Sequence, residues 1–481
     1  MTGKRKARSS RRTFLKTGAA LAAAGSFVPL FSGTAAGQNG DAELAALQRA
    51  RRIRLARGIV LTLDRGAGDF ASADVLIEDG KIRAIGSNIA APPDTVVVDC
   101  INRIIIPGFV DTHVHSYQGL LRSTLPNGLV EPDYNRDIQN NLTLAYSPSD
   151  VHIGELITAL AMIDMGTTTI VDIAQISHTP EHSDACIRGL QESGIRAVHA
   201  YSRGAGPGAR YPQDIGRLQR TYFNSPDQLL TLAMAVSTDP STLRAARDAG
   251  VRAVLHIRVE SEPFLRLGRA GLFRAGDMFI HATHMNEDAW RLIKDTGGRI
   301  SQSPPLEMAM GHGFPAIQEA LDHGVRPSLS SDHSATVAQD MFGVMRSAFS
   351  LQRLFILQRR MRNEQNIPAL LSCRDVLEFA TVEGARCADL DSKIGTLSPG
   401  KDADLVVLKA DRLDLWPVNN ALGTVVNLMN PSHVDSVFIA GKVKKWRGAL
   451  VGVDAARIMR LASEARDGLL QRSGFRVPLV G

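Results

Sequence analysis

Apolar positions along the chain change their period twice. Between residues 53 and 106 they fall in short runs rich in β-branched side chains, Ile53 to Leu63, Ala73 to Ile85 and Thr95 to Ile106. Turn signals punctuate them at Gly66, Asp79-Gly80 and Pro92-Pro93, which predicts strands. From residue 107 onward short apolar runs alternate with longer helical stretches. The runs are Phe109 to His115, Thr168 to Ile173, Arg196 to Tyr201, Thr231 to Ser237, Ala253 to Val259, Met278 to Ala282, Arg299 to Ser303 and Arg326 to Ser331. The helical stretches include Ser149 to Met165, His182 to Glu192, Pro240 to Ala249, Glu287 to Thr296, Pro315 to His323 and Gln339 to Met361. Several end at a glycine suited to a helix stop, such as Gly166, Gly194 and Gly250. Alternating strands and helices predict a parallel sheet, and eight strands are the number that closes a barrel.

After residue 390 the β pattern returns, with Ala403 to Lys409, Val434 to Ile439 and, beyond a turn at Gly441, Lys442 to Trp446. The expected fold class is therefore α/β, a (β/α)8 TIM-like barrel at 107–390. It carries a composite β-sandwich built from both ends of the chain, at 37–106 and 391–455, and a helical tail at 456–481.

Charge changes the picture only when it is located. The formal net charge is +6, but residues 1 to 36 hold seven basic residues and no acid, leaving 48 bases against 49 acids elsewhere. The body therefore offers no electrostatic case for nucleic acid. The leader itself, Ser10-Arg11-Arg12-Thr13-Phe14-Leu15-Lys16 followed by an apolar stretch from Gly18 to Phe31, resembles a twin-arginine export signal, with removal expected near Ala36. Its apolar run is shorter than the ~20 residues that span a bilayer, so no stable membrane association is expected once it is removed, and the destination is periplasmic or extracellular. The four cysteines, Cys100, Cys186, Cys373 and Cys387, show no CxxC spacing and read as small buried hydrophobes.

In such a barrel the active site lies at the C-terminal ends of the strands. There the first barrel strand reads Pro107-Gly108-Phe109-Val110-Asp111-Thr112-His113-Val114-His115. Residues two apart on a strand share a face, so His113 and His115 can present ring nitrogens to one metal ion.

With this motif the chain resembles the amidohydrolase superfamily, in its cytosine deaminase and chlorohydrolase-like branch. The likeness runs over about residues 52 to 455 and includes the return strand Gly395-Thr396-Leu397-Ser398-Pro399-Gly400-Lys401-Asp402-Ala403-Asp404-Leu405. The resemblance implies His256 and Asp332 as further ligands beside His113 and His115. It implies His281 as the residue that polarises water or substrate, with His284 a competitor, and Asp332 as general base as well as ligand. The fourth strand, Thr231 to Ser237, lacks the lysine that bridges two metals in related enzymes, so one divalent ion is expected, zinc first and iron or manganese after it.

The sequence departs from the branch at the proton donor. Deaminases of the branch keep a glutamate three residues after the fifth-strand histidine, where this chain has Val259; Glu260 follows one residue later, shares strand parity with His256 and Arg258, and is one candidate for the catalytic proton shuttle. A second departure places Glu307 after the seventh strand, in Pro304-Pro305-Leu306-Glu307, as a proton shuttle or a grip on a basic substrate group. Gln118, Arg203, Arg258, His284, His312 and His333 are expected to contact substrate.

The expected activity is metal-dependent hydrolysis of a non-peptide C–N bond in a small N-heterocycle or cyclic amide, with ring deamination the first case. Amide, lactam or dechlorinating hydrolysis is the alternative, and a barrel kept only for binding is the non-catalytic one. The partner is a small molecule; homo-oligomers are implied by the resemblance alone.

Overall fold

The computed structural model describes residues 34–257 and 261–480, and the chain divides into two units, residues 1–45 and 46–481. The arginine pair and apolar stretch of the expected export signal lie outside the described residues, as do Arg258, Val259 and Glu260. The first unit enters the description only through part of the helix Thr34–Arg49.

In the second unit the N-terminal strands are β1 (Arg52–Val60), β2 (Phe70–Glu78), β3 (Lys81–Gly86), β4 (Val96–Asp99) and β5 (Arg103–Pro107). The expected run Ala73 to Ile85 is a hairpin turning at Asp79-Gly80, and Thr95 to Ile106 breaks into two strands around Cys100. The barrel strands are β6 (Phe109–Val114), β7 (Thr167–Ala174), β8 (Arg196–Tyr201), β9 (Leu230–Val236), β10 (Arg252–Ile257), β11 (Met278–His281), β12 (Arg299–Gln302) and β13 (Ser328–Leu329). They pair in sequence order, all parallel, and form the eight-stranded barrel expected from the alternation. The chain ends contribute β14 (Leu405–Lys409), β15 (Val434–Ile439), β16 (Lys442–Trp446) and β17 (Ala449–Leu450), which join β1 to β5 in one hydrogen-bonded sheet of nine strands.

Alternation sorts the barrel strands into two faces. Val171, Ile173, Val198, Ala200, Ala233, Ala235, Val254, Met278 and Ile280 fill the barrel interior, while Ile170, Ala197, Tyr201, Leu255, Phe279 and Ile300 pack outward against the helices. Helix starts follow capping chemistry: Ser147 and Asp150 form a capping box for Pro148–Asp164, and the Asp340 side chain accepts from Gly343 N at the head of Met341–Met361. Short helices at Ile215–Tyr222 and Pro304–Ala309 were not anticipated, because fewer than three turns carry too little periodicity to be read.

The two β regions meet at the floor of the barrel. Strand β14 lies antiparallel along the whole of β5, from Leu405 opposite Pro107 to Lys409 opposite Arg103, and the next residue, Gly108, donates its N–H to Asp404 O at 3.0 Å. A Cβ on Gly108 would sit 2.1 Å from Thr168 Oγ1, so the Pro-Gly step is required by close approach of two strands. Arg196, at the start of β8 and 2% exposed, donates to both oxygens of Asp404 at 2.8 and 2.9 Å and to Asp402 at 2.9 Å. The return strand thus fastens the terminal sheet to the barrel through a desolvated, bidentate ion pair.

Removing one partner of such a pair strands the others without water. Arg196→Met is expected to cost about 3–5 kcal/mol of stability, read as a lower urea midpoint at unchanged slope. Removing the exposed pair Arg51–Asp79 leaves the midpoint in place. An unshifted midpoint for Arg196→Met would show that the return strand is held by β pairing alone.

Candidate metal centre and active site

The side chains of β6 change face within the strand. Val110 lies in the interior cluster, and Thr112 bonds the interior hydroxyls of Ser301 and Ser328 at 2.7 and 2.8 Å. Strict alternation would send Val114 inward and His113 outward. An irregularity in the β6–β7 register between Asp111 and Val114 reverses this, so Val114 packs in the outer core and His113 and His115 turn to the barrel mouth. The same residues close the barrel: Asp332 N donates to His113 O at 2.9 Å and His115 N to Asp332 O at 3.0 Å.

Around that closure the expected ligands converge. His113 Nε2 lies 3.2 Å from His115 Nε2 and 3.1 Å from His256 Nε2, and Asp332 Oδ1 lies 3.6 Å from His113 Nε2 and 3.4 Å from His115 Nε2. His115 Nδ1 sits 3.0 Å from Ile173 O, and a carbonyl can only accept, so the ring proton is on Nδ1 and Nε2 is a bare lone pair. Burial holds the His115 pKa down at about 4 and that of His113 well below the ordinary value. Asp332 Oδ1 is buried and makes no hydrogen bond. Lone pairs and a desolvated carboxylate pointed at one another repel unless a cation lies between them, and nitrogen and oxygen donors in this number suit a divalent metal ion. Burial, then the charges of Glu307 and Asp111, raises the Asp332 pKa, a shift that a bound cation would oppose.

His281 stands on the other side of Asp332, its Nε2 3.6 Å from Oδ2. Alternation from Met278 and Ile280 would face it outward with Phe279, but a left-handed backbone, φ 70°, swings it in. Asp332 is left-handed too, at φ 65°, and such non-glycine geometry costs about 1–3 kcal/mol each. The His281 ring is also close enough to His113 and His256 to form a three-histidine group that could hold a metal ion.

Glu307 does not stand on an exposed loop at the mouth. It is fully buried beneath His281: Oε1 accepts from His281 Nδ1 at 2.9 Å and from Ser303 N at 2.8 Å. Burial pushes its pKa up to about 8. A carboxylate so placed fixes the tautomer and orientation of the imidazole, which is a different task from meeting substrate directly.

Two further carboxylates brace the ligands. Asp111 accepts from His113 N at 3.2 Å and Ser331 N at 3.1 Å, and burial lifts its pKa to about 7. Asp172 accepts from Ser116 N at 3.3 Å, directly after His115, and pairs with His199 Nδ1 at 3.0 Å. Beside it lies Glu155, fully buried, its pKa raised well above the ordinary range by burial and then by the Asp172 charge.

The ligands open onto a cavity of about 900 Å³. Of the expected substrate contacts, Arg203, His312 and His333 line it; Gln118 is buried behind it and His284 is exposed outside it. The residues missed from sequence are Tyr134, Asn135, Gln139 and Asn140, all from the helical segment Val130–Leu142, together with Gln175 and Tyr211. The amide-rich run from Asn135 to Asn141 between two barrel elements was the available signal.

The amidohydrolase family model matches residues 104–444, and the chain belongs to that family. It is a metal-dependent hydrolase acting on carbon–nitrogen bonds other than peptide bonds. Its similar proteins include a 5-methylthioadenosine/S-adenosylhomocysteine deaminase of Caldicellulosiruptor saccharolyticus, 24% identical over 83% of this chain and 95% of that one. A 5'-deoxyadenosine deaminase of Methanosarcina mazei is 26% identical over 86% and 97%. Among solved structures, an adenosine deaminase of Xanthomonas campestris with bound zinc superposes with a TM-score of 0.77 at 22% identity, covering 87% of this chain and 98% of that one. The atrazine chlorohydrolase TrzN of Arthrobacter aurescens, complexed with zinc, does so with 0.77 at 20%, covering 86% and 100%.

Two outcomes follow from the bracing carboxylates. Asp172→Asn is expected to weaken affinity for the divalent metal ion about 10- to 100-fold, measured by chelator competition; unchanged affinity would make Asp172 purely a fold residue. Glu155 has a folded pKa above its unfolded one, so its stabilising contribution is present below the unfolded value and is lost as pH rises through the folded one. Glu155→Gln should therefore flatten the decline in stability from about pH 4.5 upward, read from denaturation midpoints across pH. An unchanged slope would show Glu155 to be charged in the fold.

Proposed function

We propose that the protein is a zinc-dependent deaminase of adenine nucleosides, in which water replaces the amino group at C6 of the purine and ammonia leaves. The observation that carries this is the convergence of His113, His115, His256 and Asp332, with the His281–Glu307 pair beside them, at the floor of a cavity of about 900 Å³. That volume leaves room for a sugar next to a purine, and two of the relatives named above are a 5-methylthioadenosine/S-adenosylhomocysteine deaminase and a 5'-deoxyadenosine deaminase.

A divalent ion held by the ligand set supplies Lewis acidity and brings the pKa of a water to about 7. Asp332 presents one oxygen to the ligand histidines and the other to His281, so Oδ2 is placed to take the proton of the attacking water and return it to the departing amine. His281, its Nδ1–H committed to Glu307, turns Nε2 toward Asp332, where the protonated ring donates to the negative charge that develops on the ring nitrogen beside the attacked carbon. Glu307 acts through that ring as a positioning residue.

A second reading, hydrolysis with a leaving group that needs no proton, such as chloride, is favoured by Val259 and by the absence of a glutamate among the described residues lining the cavity. Assay of adenosine, 5'-deoxyadenosine and atrazine for ammonia and chloride separates the two. Ammonia from the nucleosides is expected, and chloride alone would overturn deamination.

Stripping the metal with a chelator should abolish turnover, and one equivalent of zinc should restore it; turnover by metal-free protein would end the hydrolytic account. Glu307→Gln should lower kcat by about 100-fold or more with zinc content unchanged and a shifted pH profile. Full activity would remove Glu307 from the mechanism.

The leader Arg11-Arg12-Thr13-Phe14-Leu15-Lys16 supports a companion proposal, export by the twin-arginine route to the periplasm or beyond. Residues 1–36 fused to a reporter that crosses only when folded test it, with loss of export on Arg11→Lys/Arg12→Lys expected.

A further inference from the structure

The segment Val130–Leu142 brings Tyr134 over the centre, where its ring lies parallel to that of His333 at 4.6 Å between centroids and 11° between planes. The side chain is 8% exposed and lines the cavity with His115, Asp332 and His312. Its hydroxyl oxygen accepts two hydrogen bonds, from Gln118 Nε2 at 2.7 Å and from Gln139 Nε2 at 3.1 Å. Gln118 is itself buried, also donates to the Tyr117 hydroxyl at 3.1 Å and leaves its Oε1 without a partner, and Gln139 Nε2 reaches Gln175 Oε1 at 3.3 Å.

A phenol oxygen has two lone-pair positions and one proton. With both acceptor positions occupied by amide N–H groups, the proton is left to donate, and among the described residues none accepts it. The stack on His333 fixes the ring plane, and Tyr134 lines the cavity. A donor held this way reads an acceptor on whatever is bound, and a site built to satisfy such a donor discriminates strongly against a ligand lacking the acceptor.

We propose that the Tyr134 hydroxyl is a specificity-determining donor to a ring nitrogen of the substrate heterocycle, one lying away from the reacting edge. This rests on the nucleoside reading, in which the available acceptors are N3 and N7 of the purine. The two glutamines are the device that aims the proton.

The test uses zinc-loaded full-length protein with adenosine, 3-deazaadenosine and 7-deazaadenosine, each deaza compound replacing one acceptor nitrogen by C–H. Tyr134→Phe is expected to lower kcat/KM for adenosine by about 10- to 100-fold, mainly through KM, with zinc content unchanged. One of the two analogues should show the same loss in the wild type and no further loss in the variant. Gln139→Leu, which frees one lone pair without touching the ring, should narrow the wild-type preference for adenosine over that analogue, and serves alone if Tyr134→Phe does not fold.

If Tyr134→Phe keeps adenosine kcat/KM within about twofold, or every analogue's loss adds in full to the variant's, or Gln139→Leu leaves the preference intact, the Tyr134 assignment falls while the nucleoside reading stands. A wild-type protein that neither turns over nor binds any compound of the series overturns the nucleoside reading and this assignment together.

Discussion

The closure of the barrel between its first and last strands is the contact on which the centre depends. Its two hydrogen bonds run between the backbones of His113, Asp332 and His115, so the residues that complete the sheet are the ones whose side chains converge on the metal position. Because side chains change face with every residue, a slip of one position at this seam would turn the ligands away from one another. Asp111 guards the seam from one side, tying the backbone of His113 to that of Ser331, and Asp172 from the other, holding Ser116.

What the centre costs the fold is visible around it. His281 and Asp332 adopt left-handed backbone geometry, the imidazoles of His113 and His115 are stripped of water, and Glu155, Asp111 and Glu307 are carboxyl groups buried deeply enough to be pushed toward neutrality. Such features persist where the surroundings over-determine them. Here the surroundings are a barrel interior filled by aliphatic side chains and a terminal sheet fastened to the barrel floor by Arg196 with Asp402 and Asp404. Metal binding adds to the same balance, because a site that exists only in the folded chain makes binding free energy into folding free energy.

The elements differ in how far they could be read in advance. The eight strands stood out because each is a short apolar run between turn or helix signals, and His113 with His115 because their spacing matches the pleat. The inward turn of His281 could not be read, since strand parity points the other way and only the left-handed backbone reverses it. Glu307 was visible as an odd carboxylate after the seventh strand, but its place beneath His281, and so its role as a support, depends on how the loop folds back. Tyr134 carried no motif at all. It matters because the helical segment that carries it is laid across the mouth.

The sequence by itself determined the barrel, the composite sheet and the chemical type of the centre, because periodicity, turn residues and donor chemistry are local properties of the chain. Which carboxylates brace the centre, and which side chains from distant segments line the cavity, was decided by the tertiary structure. A side chain's task depends on its distance and direction from partners tens or hundreds of residues away, such as Asp332 from His113 or Gln118 from Tyr134, and a bulge or a single left-handed residue is enough to change that direction.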